Sequence, residues 1–259
     1  MTKTNHSEDF INKLPHITAA FWVMKITATT LGETGGDWLS MTMKVGYLVS
    51  TMIFFGLFIV AVGAQLASKK HYPFLYWTVI VATSTAGTTM SDYMDRTLEL
   101  GYTKGAALLV TILLVLLGLW RLTVGNVSVD NIKSRKAEIF YWCTILFSNT
   151  LGTALGDFLA DDSGLGFLGS WLLITGVLLV ILAATYFTKI PRILLFWVAF
   201  ILTRPFGATF GDVLTKTHEK GGLDLGTGYS SFILLAILLV SIFVFYKKWP
   251  QTMTLKSAT

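Results

Sequence analysis

The sequence predicts an all-α polytopic membrane protein: eight transmembrane helices from four parallel two-helix repeats, with the two halves related by a pseudo-twofold. Three observations predict it. The 259 residues are 53% hydrophobic and only 14% charged, with a mean hydropathy of +0.64, whereas a soluble domain carries about a quarter charged residues. The apolar residues come in blocks long enough to cross a bilayer. One motif recurs four times in a fixed register.

The predicted spans are 17–36, 45–66, 74–92, 105–122, 138–157, 168–188, 193–212 and 228–246. Each matches a hydrocarbon core of ~30 Å at a rise of ~1.5 Å per residue. The even-numbered spans are uniformly apolar, as in ALLVTILLVLLGLW, and suit contact with lipid. The odd-numbered spans are rich in Thr, Ser and Gly, as in ITATTLGETGGD, and suit contact with protein or water. Lys3 and Lys13 precede the first span, Lys69 and Lys70 follow the second, and Arg121, Lys133, Arg135 and Lys136 follow the fourth. Lys189 and Arg192 follow the sixth, and Lys247, Lys248 and Lys256 the eighth. These are 13 of the 20 basic residues, and they predict a multi-pass protein with both termini cytoplasmic. The net charge of +5 is therefore a topology signal and not a nucleic-acid patch. Residues 1–14 are polar and no clear cleavage site follows the first apolar block, so the first span is expected to be retained. The single Cys143 excludes an internal disulfide framework, and the histidines His6, His16, His71 and His218 show no metal-ligand spacing.

Trp22, Trp77, Trp142 and Trp197 each open an odd-numbered span. Ten residues later stand Gly32, Gly87, Gly152 and Gly207; fourteen later, Gly36, Ser91, Gly156 and Gly211; fifteen later, Asp37, Asp92, Asp157 and Asp212. Gly46, Gly101, Gly166 and Gly221 complete the unit W-x9-G-x3-[GS]-D-x8-G. The tryptophans are 55, 65 and 55 residues apart, as for a doubled unit doubled again. The expected organisation is a cytoplasmic tail 1–14, a first half 15–124, a cytoplasmic linker 125–137, a second half 138–248 and a cytoplasmic tail 249–259. Two spans per unit make every unit enter from the same side, so the repeats are parallel about an axis along the membrane normal.

On these residues, over 15–248, the chain resembles a family of bacterial membrane proteins made of four tandem repeats of unknown function, each with two transmembrane segments and a characteristic tryptophan. Ser91 departs from the glycine of the pattern. The resemblance implies the architecture and a bacterial cytoplasmic (inner) membrane location; it supplies no activity.

Offsets 7, 11 and 15 from each tryptophan share one helix face. They are Thr29, Glu33 and Asp37; Ser84, Thr88 and Asp92; Asn149, Thr153 and Asp157; and Arg204, Ala208 and Asp212. Four such stripes around one axis predict an oxygen-lined path. A charge at membrane depth costs roughly 2.5–3.5 kcal/mol even on the milder scale. Four carboxylates therefore call for a cation or protons, and such oxygen ligands suit Mg²⁺, Mn²⁺ or Ca²⁺. The opposing expectation places the aspartates near the outer interface as helix or turn caps, and broken spans would bring them deeper. The tryptophans are expected to be interface anchors, and the repeated glycines to permit close helix contact. Lys25 and Arg204 break the symmetry at otherwise neutral positions; Arg204 precedes Pro205 in mid-span and needs a carboxylate, Glu33 or a motif aspartate. Asp95, Arg96, Asp161 and Asp162 read as solvated outer loops.

No nucleophile–base pair, P-loop or HExxH occurs, which points away from an enzyme and from ATP-driven transport by this chain alone. The leading expectation is a secondary transporter or exporter of a hard divalent cation such as Mn²⁺ or Mg²⁺, with Asp37, Asp92, Asp157 and Asp212 as metal ligands and Lys25 and Arg204 as gating or counter-charges. The alternatives are a proton-coupled carrier of a small organic or anionic solute and a non-transporting scaffold or sensor. The expected partners are the bilayer and the transported ion or solute, with no resident cofactor.

Overall fold

The computed structural model describes residues 15, 17–68, 70–127, 132 and 134–256, with side chains as far as 245. The predicted tail 1–14 lies outside the described residues, as do His16, Lys69 and Lys133. Among the described residues there are eight long helices and no strand. They are α1 (Ala19–Asp37), α2 (Tyr47–Ala67), α3 (Pro73–Asp92), α4 (Gly101–Val124), α5 (Arg135–Asp157), α6 (Gly166–Phe187), α7 (Arg192–Thr215) and α8 (Thr227–Lys256). The last continues into the stretch expected as a tail. Five of them, α2, α4, α6, α7 and α8, are long and apolar enough to cross a membrane. The other three, α1, α3 and α5, carry polar residues that the fold turns inward. Their Thr30, Thr85 and Thr150 hydroxyls return hydrogen bonds to carbonyls one turn back, at 2.9–3.0 Å, which lets hydroxyls sit in a dry interior.

The four odd-numbered helices form a closed central ring, in which α1 packs on α3, α3 on α5, α5 on α7 and α7 on α1. Each even-numbered helix packs mainly on the odd helix of the following repeat: α2 on α3, α4 on α5, α6 on α7, and α8 back on α1. The repeats thus interlock, and the two halves share the joints α3–α5 and α7–α1. α7 runs through Pro205 without a break.

The motif glycines make the joints. A Cβ on Gly32 would lie 2.3 Å from the Ser84 Cβ, one on Gly87 3.0 Å from the Asn149 carbonyl carbon, one on Gly152 2.4 Å from the Arg204 Cγ, and one on Gly207 2.4 Å from the Thr29 Oγ1. In every case the glycine at offset 10 meets the residue at offset 7 of the next repeat. Offset 14 meets offset 11 in the same way: Gly36 on Thr88, Gly156 on Ala208, and Gly211 on Glu33.

Each odd helix extends past its aspartate differently from expectation. In the first three repeats it widens into a π-helical turn, Trp38–Thr42, Tyr93–Thr97 and Phe158–Asp162. The chain then turns at the loop glycine, whose φ is +85° at Gly46, +70° at Gly101 and +67° at Gly166, a region that strains a side chain. In the fourth repeat α7 ends at Thr215, and the loop folds back on it through Leu223 N–H to Val213 O at 2.7 Å.

The tryptophans are interior, not surface anchors: Trp77, Trp142 and Trp197 are buried and Trp22 is half-buried. Each of three joints packs the aromatic ring before one tryptophan against the next repeat's tryptophan: Phe21 on Trp77 at 5.9 Å, Tyr76 on Trp142 at 5.6 Å, and Phe196 on Trp22 at 5.8 Å. The expectation failed because a tryptophan opening a span fits an interface belt and an aromatic joint equally well. By contrast the outward faces of the even helices stay bare, with Val60, Leu114, Val180 and Val240 all more than 60% exposed.

If the glycine joints set the ring, Gly207→Ala will lower thermal stability in detergent by roughly 1–3 kcal/mol, the usual cost of overpacking, because backbone of Thr29 stands only 2.9 Å from the new Cβ. Gly63→Ala on α2, where a Cβ meets nothing within 4 Å, will be neutral or stabilise by up to about 1 kcal/mol. Equal effects of the two would reject the joint.

Candidate functional site

The ring brings the four stripes onto its axis as stacked layers. All of Thr29, Ser84, Asn149, Arg204, Glu33, Thr88, Thr153, Asp37, Asp92, Asp157 and Asp212 are buried, none more than 4% exposed. At the tryptophan end the axis is closed by aromatic side chains. The Tyr76 and Tyr141 hydroxyls meet there at 2.8 Å, with the Trp142 ring against both tyrosine rings.

One turn further in stands Lys25, fully buried, its Nζ 4.1 Å from the centroid of the Phe200 ring. The next layer holds Arg204. Its Nη2, with two hydrogens to donate, has four acceptors within reach: Glu33 Oε2 at 3.0 Å, Thr153 Oγ1 at 2.7 Å, the Ser84 carbonyl at 3.4 Å and Thr88 Oγ1. A single nitrogen of α7 therefore touches the other three central helices. Thr88 also donates to the Gly32 carbonyl at 3.2 Å. Asn149 donates to Thr83 Oγ1 at 2.9 Å and Ser84 Oγ at 3.3 Å, and Thr29 donates to the Thr203 carbonyl at 3.2 Å.

The aspartate layer holds two basic residues that sequence reasoning did not place there. Lys216 Nζ lies 3.1 Å from Asp37 Oδ2 and 3.0 Å from Asp212 Oδ1. Arg96 Nε lies 3.0 Å from Asp92 Oδ1, and its Nη2 lies 3.7 Å from Asp157 Oδ2. Both stand nineteen residues after their tryptophan, where the other repeats have Met41 and Asp161. Each base joins its own repeat's aspartate to that of the next, so a fourfold ring of carboxylates is half neutralised by a twofold pair of cations. Arg96 also lies over the rings of Tyr47 and Tyr102, 6.0 Å from each centroid, and Lys216 over Phe167 at 5.8 Å.

The side chains of Arg96 and Lys216 are 34% and 20% exposed. Burial pulls Lys216 down, but the carboxylates of Asp212 and Asp37 outweigh it and hold its ammonium above the ordinary lysine range. Arg96 is raised in the same way, burial being overcome by Asp92 and Asp157. Asp95, expected in a solvated loop, is buried and accepts from Ser91 at 3.2 Å; burial raises its carboxyl, against the hydrogen bond and Arg96. Arg96, expected in the same loop, is an ion-pair partner of the motif. Each base stands four residues after its own aspartate, Arg96 on the π turn of the second repeat and Lys216 at the end of α7, where there is no π turn. The aspartates do not cap the π turns: Asp37, Asp92 and Asp157 precede them without a side-chain capping bond.

The four aspartates do not converge on one point. Glu33, Asp37 and Asp212 bring their oxygens within 4.8 Å of one another and form the set able to hold a hard cation. Asp92 and Asp157 stand apart on Arg96. The five axial carboxylates face four axial bases, Lys25, Arg204, Arg96 and Lys216.

Residues 20–71, 75–126, 140–190 and 195–248 each match the family model described as a Repeat of Unknown Function (DUF347). The chain belongs to that family, with one odd and one even helix in each match. No curated protein and no solved structure matches it.

Removing Lys216 leaves two buried carboxylates without their base. Lys216→Met will cost about 3 kcal/mol, the low end for breaking a buried pair, because Lys216 keeps some exposure. Adding Asp212→Asn will recover much of that loss, a coupling that a double-mutant cycle of thermal stabilities reads directly. A double variant no more stable than Lys216→Met rejects the pairing.

Proposed function

We propose that the chain is a multi-pass protein of the bacterial inner membrane, with eight membrane-crossing helices and both termini cytoplasmic. Its four repeats run parallel about an axis along the membrane normal, and it acts as a secondary transporter or exporter of a hard divalent cation such as Mn²⁺ or Mg²⁺. The bare apolar faces of α2, α4, α6 and α8 support the membrane placement, since so much exposed aliphatic surface suits lipid and not water. The equivalent contacts at the four glycine joints support the parallel arrangement.

The observation that carries the transport reading is the axial column of ionisable side chains. Packing four helices needs no charges, and apolar residues of like volume would serve stability as well or better. Charged residues kept inside a bundle read by default as a substrate or ion path. Within the column, Glu33, Asp37 and Asp212 gather around Lys216. With Lys216 withdrawn, three carboxylates against Arg204 leave two negative charges, which a divalent cation balances. Lys216 then acts as the internal stand-in for the cargo, occupying the carboxylates when the cation is absent. The lysine side chain is long and partly exposed, and it sits at the end of α7 where the loop begins, so it can leave without breaking a helix. The cation is cargo, and no resident cofactor or enzymatic chemistry is part of this reading.

The unfilled donors of Lys25 and Arg204 favour the second reading, a proton-coupled carrier of a small anionic solute. Elemental analysis of cells separates the readings. At equal membrane abundance, the wild type will shift the cellular content of one divalent metal, and Asp37→Asn/Asp212→Asn will not. A wild type that shifts no metal in metal-loaded media sinks cation carriage. A double variant that shifts the metal as the wild type does removes these two aspartates from the path.

A further inference from the structure

Lys25 is the one base of the axis that no carboxylate explains. Its Nζ is fully buried and, among the described residues, meets no hydrogen-bond acceptor. The Phe200 ring at 4.1 Å offsets only part of the cost of burying an ammonium, since a cation–π contact is weaker than the desolvation it must repay. Arg204 repeats the anomaly. Its Nη2 gathers every acceptor in reach, while Nε and Nη1 are buried and unpartnered. The two bases are neighbours across the α1–α7 joint. Phe200 stands one turn before Arg204 on α7, Lys25 stands one turn before Thr29 on α1, and Thr29 bonds the carbonyl of Thr203.

Donors from two helices thus share one stretch of the axis without hydrogen-bond partners, and Asn149 Oδ1, at the same offset as Arg204, is the one amide acceptor of that layer left unpaired among the described residues. Buried donors of this kind ordinarily have a partner. Charge sets the partner's valence: Lys25 and Arg204 against Glu33 leave one positive charge. Size and polarity are set by the surroundings. Ile80 and Ile145, at the level of Lys25 and Phe200, are fully buried and apolar, so the floor offers no hydrogen bond to a large oxyanion. We propose that a small monovalent anion, a halide or a short monocarboxylate, binds on the axis between Lys25 and Arg204. This site deepens the second reading above, the carrier of a small anionic solute, and rests on it for any transport role; it shares Arg204 and Glu33 with the carboxylate cluster around Lys216, but binding of the anion does not depend on cation carriage. An anion there also lowers the repulsion between the two bases, which stabilises the closed ring.

The test uses the purified full-length chain in detergent, with unfolding followed by tryptophan fluorescence. Sodium chloride or sodium formate is titrated against sodium gluconate at constant ionic strength and fixed pH. The midpoint temperature will rise with the logarithm of chloride or formate concentration once the site saturates, and the chloride-35 line of the wild type will broaden and sharpen again when formate competes. Lys25→Met will abolish the dependence while exposed Lys44→Met keeps it. If Lys25→Met does not fold, Phe200→Leu, which leaves both bases in place, will shift the apparent chloride affinity several-fold. A wild type indifferent to both anions, a Lys25→Met protein that still responds, or a Phe200→Leu protein of unchanged affinity overturns the proposal. Because the readout is binding in detergent, its failure and a failure of metal transport are told apart.

Discussion

Four helices can approach this closely only where one of them lacks a side chain, and that constraint shapes everything on the axis. The glycine at offset 10 of each repeat lies against the offset-7 residue of the next. Close approach leaves room on the axis for side chains of one layer at a time, and it forces those side chains to satisfy one another. Arg204 is the extreme case. Its Nη2 reaches Glu33, the Ser84 carbonyl, Thr88 and Thr153, so a guanidinium of one helix is bound by the other three. A wider ring would leave Arg204 facing water or nothing. A ring with a Cβ at Gly152 would strike Arg204 itself, 2.4 Å from its Cγ.

The symmetry falls in steps along the axis, and the steps follow from charge. The glycine joints are fourfold because packing is indifferent to charge. The aspartate layer is fourfold in its carboxylates and twofold in its bases. Four bases for four carboxylates would crowd the turn, whereas one base between two adjacent carboxylates neutralises both partly and leaves net negative charge at the exposed end. Below it symmetry is lost altogether, since Glu33, Asn149, Arg204 and Lys25 each occur once. Single-copy residues fix direction along and around the axis, which identical layers cannot. Lys25 lies against Phe200 of α7, and Arg204, seated on Gly152 of α5, reaches across to Glu33 of α1, so both bases link the last repeat to the first.

The architecture was legible in the sequence because it is periodic. The tryptophan spacing located all four odd helices, and the alternation of apolar and hydroxyl-rich segments told outer helices from inner ones. The stripe Thr29–Glu33–Asp37 and its equivalents were found from helical spacing alone, and a carboxylate partner for Arg204 followed from the cost of a lone buried charge. What stayed hidden depended on local backbone geometry and on contacts between repeats. A π turn has no residue signature here, and it carries the odd helix on through Arg96, where the sequence pattern ended the span at Asp92. Lys216 looked like any loop lysine. Its alignment with Arg96 at offset 19 was available, but Met41 and Asp161 at the same offset masked it as a motif. The tryptophans were misplaced because amphipathic rings serve both an interface belt and an aromatic joint, and only the neighbouring Phe21, Tyr76 and Phe196 decide between them.

The paired bases also bear on what a ligand of the aspartate layer must overcome. A bare ring of four buried carboxylates would bind any cation tightly and release none. If the layer takes a cation as proposed, Lys216 and Arg96 make that binding an exchange of one positive group for another, and net affinity is the difference between two large terms. The two bases are not equal in this respect. Arg96 lies over two tyrosine rings, and its planar guanidinium spreads its contacts over Asp92 and Asp157. Lys216 is a point charge on a flexible stem, next to a third carboxylate, Glu33, that Arg204 holds in place. Under the proposed cation carriage, exchange at Lys216 reaches the centre of the ring through Glu33 and Arg204, whereas exchange at Arg96 stays at the rim. A cation that enters by displacing Lys216 bears on the one guanidinium that ties all four central helices together.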